Sequence, residues 1–323
     1  MIYACLNRTN LEIVRITPEN TALLQEAIWV DLLTPTKEEE SIVETGLHLS
    51  IPTREEMVEI ELSSRLYKED GILFMTAIMI AQSDTPEPKF DPVTFVLGPK
   101  QIVSIRYIEP HAFKIVSTHL KKLDHAHHDS IDLFIELLEA TVDRLADLLE
   151  LVGRRLDDYS KTIFHADSNQ SGKLNYPQLM RQIGANGDLN TKSRESLLTF
   201  NRLIAFLAQN GSTRISAENQ VHLTTIGKDI GSLSDHANFL STKVNFLLDA
   251  TLGMVNIEQN NIIKIFSVAA VIFLPPTLIA SIYGMNFHEI PELSWRYGYV
   301  YSICMIMLAA WLPYRYFKYK KWL

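Results

Sequence analysis

The chain predicts an α/β domain joined through a long helical stalk to two transmembrane helices, and three observations carry that prediction. Two apolar segments, at 265–283 and about 297–317, each have the roughly 20 residues a helix needs to cross a hydrocarbon core of about 30 Å. Ahead of them, apolar residues recur in steps of three and four from Ile226 to Met254, and no proline occurs between Gly211 and Pro275. The first third carries short apolar runs punctuated by Gly and Pro, the pattern of strands and turns rather than of long helices.

Taken in order, residues 1–129 read as the α/β domain. Residues 73–81 form one apolar run, and 93–97 and 101–107 flank Gly98-Pro99-Lys100 as a hairpin. Thr34-Pro35 ahead of Glu38-Glu39-Glu40, and Thr53 ahead of Glu56, read as helix starts, with acids near the positive helix end. Residues 130–212 read as an acidic helical hairpin. Leu133, Leu137, Leu138, Val142, Leu145, Leu148, Leu149 and Val152 make one apolar stripe, and Asp132, Glu136, Glu139, Asp143, Asp147 and Glu150 an acidic face. After a Gly/Ser/Asn-rich break at 167–177, a second helix is expected over about 189–208.

Residues 213–264 form the stalk. Ile226, Ile230, Leu233, Ala237, Leu240, Val244, Leu247, Thr251 and Met254 keep heptad spacing, so one helix about 90–100 Å long is expected to enter the membrane without a break. Residues 265–283 are the first span, 284–296 an external loop, 297–317 the second span and 318–323 a basic tail.

Charge sets the orientation. The chain carries a net −8, yet Arg315, Lys318, Lys320 and Lys321 crowd into its last ten residues with no acid among them. Such a tail belongs on the cytoplasmic side, and two spans then return the N-terminal domain to that side too. The start, Met1-Ile2-Tyr3-Ala4, reads as no cleaved signal peptide. An acidic body suits cations and excludes nucleic acid as a partner. Cys5 and Cys304 stand too far apart in kind and place to form a disulfide framework.

Two stretches have metal-ligand chemistry. Residues 167–178 resemble an EF-hand loop with Gly172 at the sixth place, but Gln178 stands where a bidentate Glu is needed, so the stretch reads as a solvated turn. Asp124-His125-Ala126-His127-His128-Asp129 crowds its imidazoles too closely for one tetrahedral ion and reads as a polar linker. No nucleophile–base set, phosphate loop or dinucleotide fingerprint occurs, so the chain is not read as an enzyme. Two helices cannot enclose a pathway alone. Either several copies assemble into a channel or transporter, or the helices anchor a sensor.

The loop between the spans discriminates. Tyr283-Gly284-Met285-Asn286-Phe287, then Pro291-Glu292-Leu293, Trp295 and Gly298, a second span and Lys320-Lys321-Trp322-Leu323, closely resemble the CorA family of magnesium transporters. The order of parts matches as well. The resemblance implies a CorA-like homopentamer in the bacterial inner membrane, spanning the lipid bilayer with both termini cytoplasmic. It implies channel-like Mg²⁺ influx driven by the membrane potential, with Co²⁺ or Ni²⁺ as further cargo. Mg²⁺ is then both the transported and the regulatory ion. The alternatives are a Zn²⁺ (or Co²⁺/Ni²⁺) transporter of the same superfamily, against which Met285 weighs, and a membrane-anchored Mg²⁺ sensor that conducts nothing.

Site residues follow from the resemblance. Gly284, Met285 and Asn286 are the selectivity motif. Mg²⁺ gives up its water reluctantly, so a ring of neutral Asn286 amides reads the hydrated ion and binds it weakly enough to release it. Counting back from the motif places Asn260, Ile263, Phe266, Ala270, Leu274, Thr277 and Ser281 on the pore face, with Thr277 and Ser281 offering hydroxyls near the mouth and Leu274 and Phe266 an apolar constriction. The regulatory Mg²⁺ site between subunits falls on Asp249 and Asp84, with Glu87 next in line.

Overall fold

The computed structural model describes residues 1–7, 11–59, 61–83, 85, 87–120, 129–164, 175–211, 215–285 and 291–320. It divides into two compact units, Met1–Leu248 and Asp249–Leu323. Asp84, Asn286, the His-rich 124–128, the EF-hand-like 167–174 and the tail from Lys321 lie outside the described residues.

The first unit is built on a seven-stranded sheet of β1 (Ile2–Asn7), β2 (Leu11–Ile16), β3 (Ala27–Leu33), β4 (Leu66–Glu69), β5 (Ile72–Ala81), β6 (Lys89–Leu97) and β7 (Ile102–Arg106). The order is β2-β1-β3-β7-β6-β5-β4, and only β3 and β7 pair in parallel. The run at 73–81 is β5, and the strands flanking Gly98-Pro99-Lys100 form the expected hairpin, closed by the Gly98 N–H donating to the Gln101 carbonyl at 2.9 Å.

Helices α1 (Lys37–Leu47), α2 (Arg54–Val58) and α3 (Leu62–Arg65) fill the crossover from β3, and α4 (His111–Leu120) follows β7. The cap of α2 is Thr53, with Glu56 closing a capping box. The cap of α1 is Thr36 rather than Thr34, because only Thr36 has a glutamate, Glu39, three residues on to answer its backbone N–H. Thr34 sits outside the helix at φ 46°. Val43 of α1 and Met57 of α2 pack with Ile2, Ala4, Leu6, Val30, Leu32, Val96, Val103 and Ile105 in one apolar core.

A helical layer comprises α5 (Ser130–Phe164), α6 (Tyr176–Asn210) and the start of α7 (Ala217–Tyr283). Every member of the α5 stripe read from the sequence is buried. The helix expected at 189–208 begins instead at Tyr176. Its first half carries Gly184 and Gly187, which hide the helical signal, yet Leu179, Ile183 and Asn186 are buried at helical spacing, so packing outweighs local propensity. Asn175 caps it by accepting from the Gln178 N–H at 3.1 Å, which gives the twelfth EF-hand place a role in the first turn of a helix.

β4 has four residues and β5 ten, which leaves part of one β5 edge without a strand partner. There α6 supplies hydroxyls. Ile78 N–H donates to Thr199 Oγ1, and Ser196 Oγ donates to the Ile78 carbonyl. The edge is thereby closed to intermolecular strand addition. Pro92, opposite Ile78 on β6, needs no donor because the β6–β7 ladder stops at Val93.

The stalk is one helix. α7 runs 67 residues without interruption, entering the first apolar segment and continuing through Pro275-Pro276 within it. The predicted stripe holds: Ile226, Ile230, Ala237, Leu240, Val244, Leu247 and Thr251 are buried, and Leu233 and Met254 are half-buried. The second unit consists of the remainder of α7 and the helix α8 (Gly298–Tyr319).

Candidate functional site

Within the first unit, α7 is clamped to the α5–α6 hairpin by polar contacts as well as by its stripe. Buried Asn190 of α6 donates through Nδ2 to the Ala237 carbonyl (2.9 Å) and to Ser241 Oγ (2.8 Å). Lys243 Nζ pairs with Asp157 of α5 at 2.6 Å, and the hydrogen bond from that ammonium holds the Asp157 carboxyl below its usual range. Phe164 and Phe246 stack with centroids 5.9 Å apart. Gly187 faces Val244 so closely that a Cβ there would stand 3.0 Å from Val244 Cγ1. None of these four contacts was read from the sequence. Asn190 alone left a trace, as a polar residue at an inward helical position.

Asp129, from one of the metal-like stretches, has a structural role. Asp129 Oδ1 accepts from the Ile131 and Asp132 N–H groups, and Asp132 returns a bond to the Asp129 N–H, so this residue beside the histidines is the cap of α5. On the expected acidic face, Asp132 also accepts from Asn219 of α7 at 2.6 Å. Among the described residues, no three His, Cys, Asp or Glu side chains converge on a common point. Asp249 is exposed on α7 and Glu87 is exposed after β5, while Asp84 is outside the described residues, so the regulatory pair remains a sequence reading.

At the carboxyl ends of the parallel pair β3 and β7 lies a cleft of about 680 Å³ lined by Leu33, Arg106, His111 and Lys114, among others. Its Arg106 is already consumed. The guanidinium clasps Asp31 (2.8 Å from Nη2 to Oδ2), donates to the Ile108 carbonyl and lies 4.4 Å over the Phe113 ring. Ser104 Oγ donates to the same carboxylate and receives the Trp29 indole N–H. This satisfied network joins β3, β7 and α4.

In the second unit, Asn260, Ile263, Phe266, Ala270, Leu274, Thr277 and Ser281 are all exposed on α7, with Phe266 at 72% and Leu274 at 65%. At about 100° per residue they fall within a sector of about 120°. Lys264, Val268, Ile272, Pro275, Ile279 and Tyr283, which are buried or half-buried, occupy the opposite side of the same helix. The polar-bearing stripe is thus the side the chain itself leaves uncovered. Thr277 Oγ1 donates back to the Phe273 carbonyl at 2.7 Å, which leaves its hydroxyl only acceptor capacity. Pro275 and Pro276 cannot donate, which deprives the Val271 and Ile272 carbonyls of their i+4 partners at this depth.

Two glycines shape the ends of the loop. Gly284 closes α7 by donating to the Ala280 carbonyl, and a Cβ there would meet that oxygen at 3.2 Å. Gly298 opens α8 where a Cβ would lie 2.0 Å from the Glu292 carbonyl oxygen, behind a short 3-10 turn at Pro291–Ser294. Met285 is exposed, and Asn286 lies just past the described residues.

Known proteins place this arrangement. The sequence profile of the family described as "CorA-like Mg2+ transporter protein" matches residues 25–319. The Magnesium transport protein CorA of Pasteurella multocida is 34% identical over 311 residues, covering 96% of each chain. The Escherichia coli protein of the same name is 33% identical over 314 residues, covering 97% of this chain and 98% of its own. The complete structure of the CorA magnesium transporter from Methanocaldococcus jannaschii superposes with a TM-score of 0.74 at 16% identity, covering 100% of this chain and 99% of that one.

Proposed function

The chain belongs to the CorA-like Mg²⁺ transporter family, and from that membership we propose that it carries Mg²⁺ across a bacterial inner membrane as a homopentamer with both termini in the cytoplasm. The observation that supports this most directly is α7. One unbroken helix begins in the first unit and ends in an apolar span, and its exposed side bears Asn260 just before the span and Thr277 and Ser281 within it. Five such sides around an axis line a route, and no single chain can make one.

Flux in this reading is downhill. The membrane potential contributes about 2.3 kcal/mol per charge per 100 mV, doubled for a divalent ion. The Asn286 ring engages the hydrated ion, and Leu274 and Phe266 close the path by dewetting when α7 shifts inward. Cytoplasmic Mg²⁺ bridging Asp249 and Asp84 of neighbouring subunits relieves carboxylate repulsion and holds the closed state.

The test is uptake into sealed vesicles containing the full chain, with an inside-negative potential and Mg²⁺, Co²⁺, Ni²⁺ and Zn²⁺ compared. Potential-driven Mg²⁺ uptake is expected, with Asn286→Ala abolishing it while the oligomer survives. Zn²⁺ uptake without Mg²⁺ uptake, no uptake of any ion, or full uptake by Asn286→Ala would overturn the reading.

A further inference from the structure

We propose that the C-terminal end of α8 is a binding site for the phosphate of an anionic phospholipid headgroup. Along one side of this helix the surface changes in chemistry turn by turn. Met307 and Leu308 are exposed, then Trp311 and Tyr314, then Arg315 and Lys318, then Tyr319. At about 100° per residue these seven positions share a sector of about 140°, and from Met307 to Lys318 they extend about 16 Å at about 1.5 Å per residue. Apolar, then amphipathic-aromatic, then cationic is the sequence of layers met on leaving a bilayer leaflet.

The level at which the cations sit points to an anion. Arg315 lies over the Trp311 ring at 5.5 Å and Lys318 over the Tyr314 ring at 6.0 Å. Both therefore lie over the preceding turn, the direction in which helical side chains lean, and hold their charges at the level of the aromatic layer. A charge held there needs a counterion at the depth of the ester–phosphate boundary. Between Leu293 and Leu323 the sequence has no Asp or Glu side chain to provide one. The leaflet does supply one: a phosphate that can sit between a guanidinium and an ammonium while its acyl chain lies along Met307 and Leu308.

The experiment uses the full chain in detergent micelles, measuring by native mass spectrometry the lipids retained from equal mixtures of phosphatidylglycerol and phosphatidylcholine. Preferential retention of phosphatidylglycerol is expected, falling about fivefold for Arg315→Gln or Lys318→Gln and on the order of 25-fold for both, at about 1 kcal/mol per cation. A charge-conserving exchange, Lys318→Tyr with Tyr316→Lys, moves the ammonium round the helix without altering net charge or topology signals. The site predicts loss of preference in this variant, and diffuse attraction predicts that it stays. Equal retention of the two lipids by the parent chain, retention unchanged in the exchange variant, or displacement of the lipid by millimolar inorganic phosphate would each overturn the proposal.

Discussion

Replacing Gly187 by alanine tests how tightly the stalk is seated, and Gly184, one turn earlier in the same helix, is its control. Alanine in a helix interior is worth about 1 kcal/mol over glycine. Gly184 has nothing within 4 Å of an added Cβ, so Gly184→Ala should realise that gain in full. At Gly187 the same methyl would stand 3.0 Å from Val244 Cγ1, well inside van der Waals contact. Val244 is buried and β-branched, with one strongly preferred rotamer in a helix, so it cannot swing aside. Overpacking of this kind costs about 1–3 kcal/mol, so Gly187→Ala should range from neutral to about 2 kcal/mol destabilising. For a unit of this size about 1 kcal/mol moves the melting temperature by about 2–4 °C. Thermal unfolding of the full chain in detergent should therefore show Gly184→Ala higher by that amount and Gly187→Ala unchanged or lower. In a Val244→Ala background the methyl has room, and Gly187→Ala should become stabilising, giving a coupling of at least 1 kcal/mol. If the two alanines raise the melting temperature equally, or if the cycle shows no coupling, α6 and α7 do not pack as described.

Four further outcomes follow, one from the proposed regulation and three from the geometry of the first unit. If Asp249 holds the proposed regulatory cation, Asp249→Lys should mimic that cation and keep the proposed oligomer protected from limited proteolysis at low Mg²⁺, whereas Asp249→Ala should only blunt the Mg²⁺ response; a parent protein without Mg²⁺-dependent protection would overturn that assignment. Asp31→Ala leaves the buried Arg106 guanidinium unpaired and should cost about 3–5 kcal/mol, measured as a drop in melting temperature, while leaving ion preference untouched. Because its partner ammonium lowers the Asp157 pKa, the Lys243–Asp157 contact stabilises above the ordinary carboxylate range and is lost as pH falls through the depressed value. Parent and Lys243→Met should therefore differ slightly at neutral pH and converge below about pH 4 in acid unfolding. Burial pushes the Cys5 thiol up to about 11, so alkylation of Cys5 at pH 8 should wait for unfolding.

Much of this was legible in one dimension because it rests on periodicity and local chemistry. The α5 stripe and the stalk repeat are amphipathic patterns whose buried positions follow from 3.6 residues per turn: every residue of the α5 stripe is buried, and in the stalk all but the half-buried Leu233 and Met254. The Gly98 hairpin and the Thr53 capping box were visible because a turn or cap is specified within a few residues. The motif residues from Gly284 onward were likewise read directly, and with them the family.

What the sequence left unsaid depends on partners distant along the chain. The strands β1–β3 lack a clean alternation, and only their neighbours in the sheet make them strands. The first half of α6 is helical against its glycines because Leu179, Ile183 and Asn186 are buried at helical spacing, and Gly187 gives room to Val244, fifty-seven residues away. Asp31 and Arg106 are unremarkable charges until the parallel pairing of β3 with β7 buries them together. Local propensity and hydrophobic period are properties of short windows. Helix seating, edge protection and buried charge pairing are decided by contacts that exist only once the chain has folded.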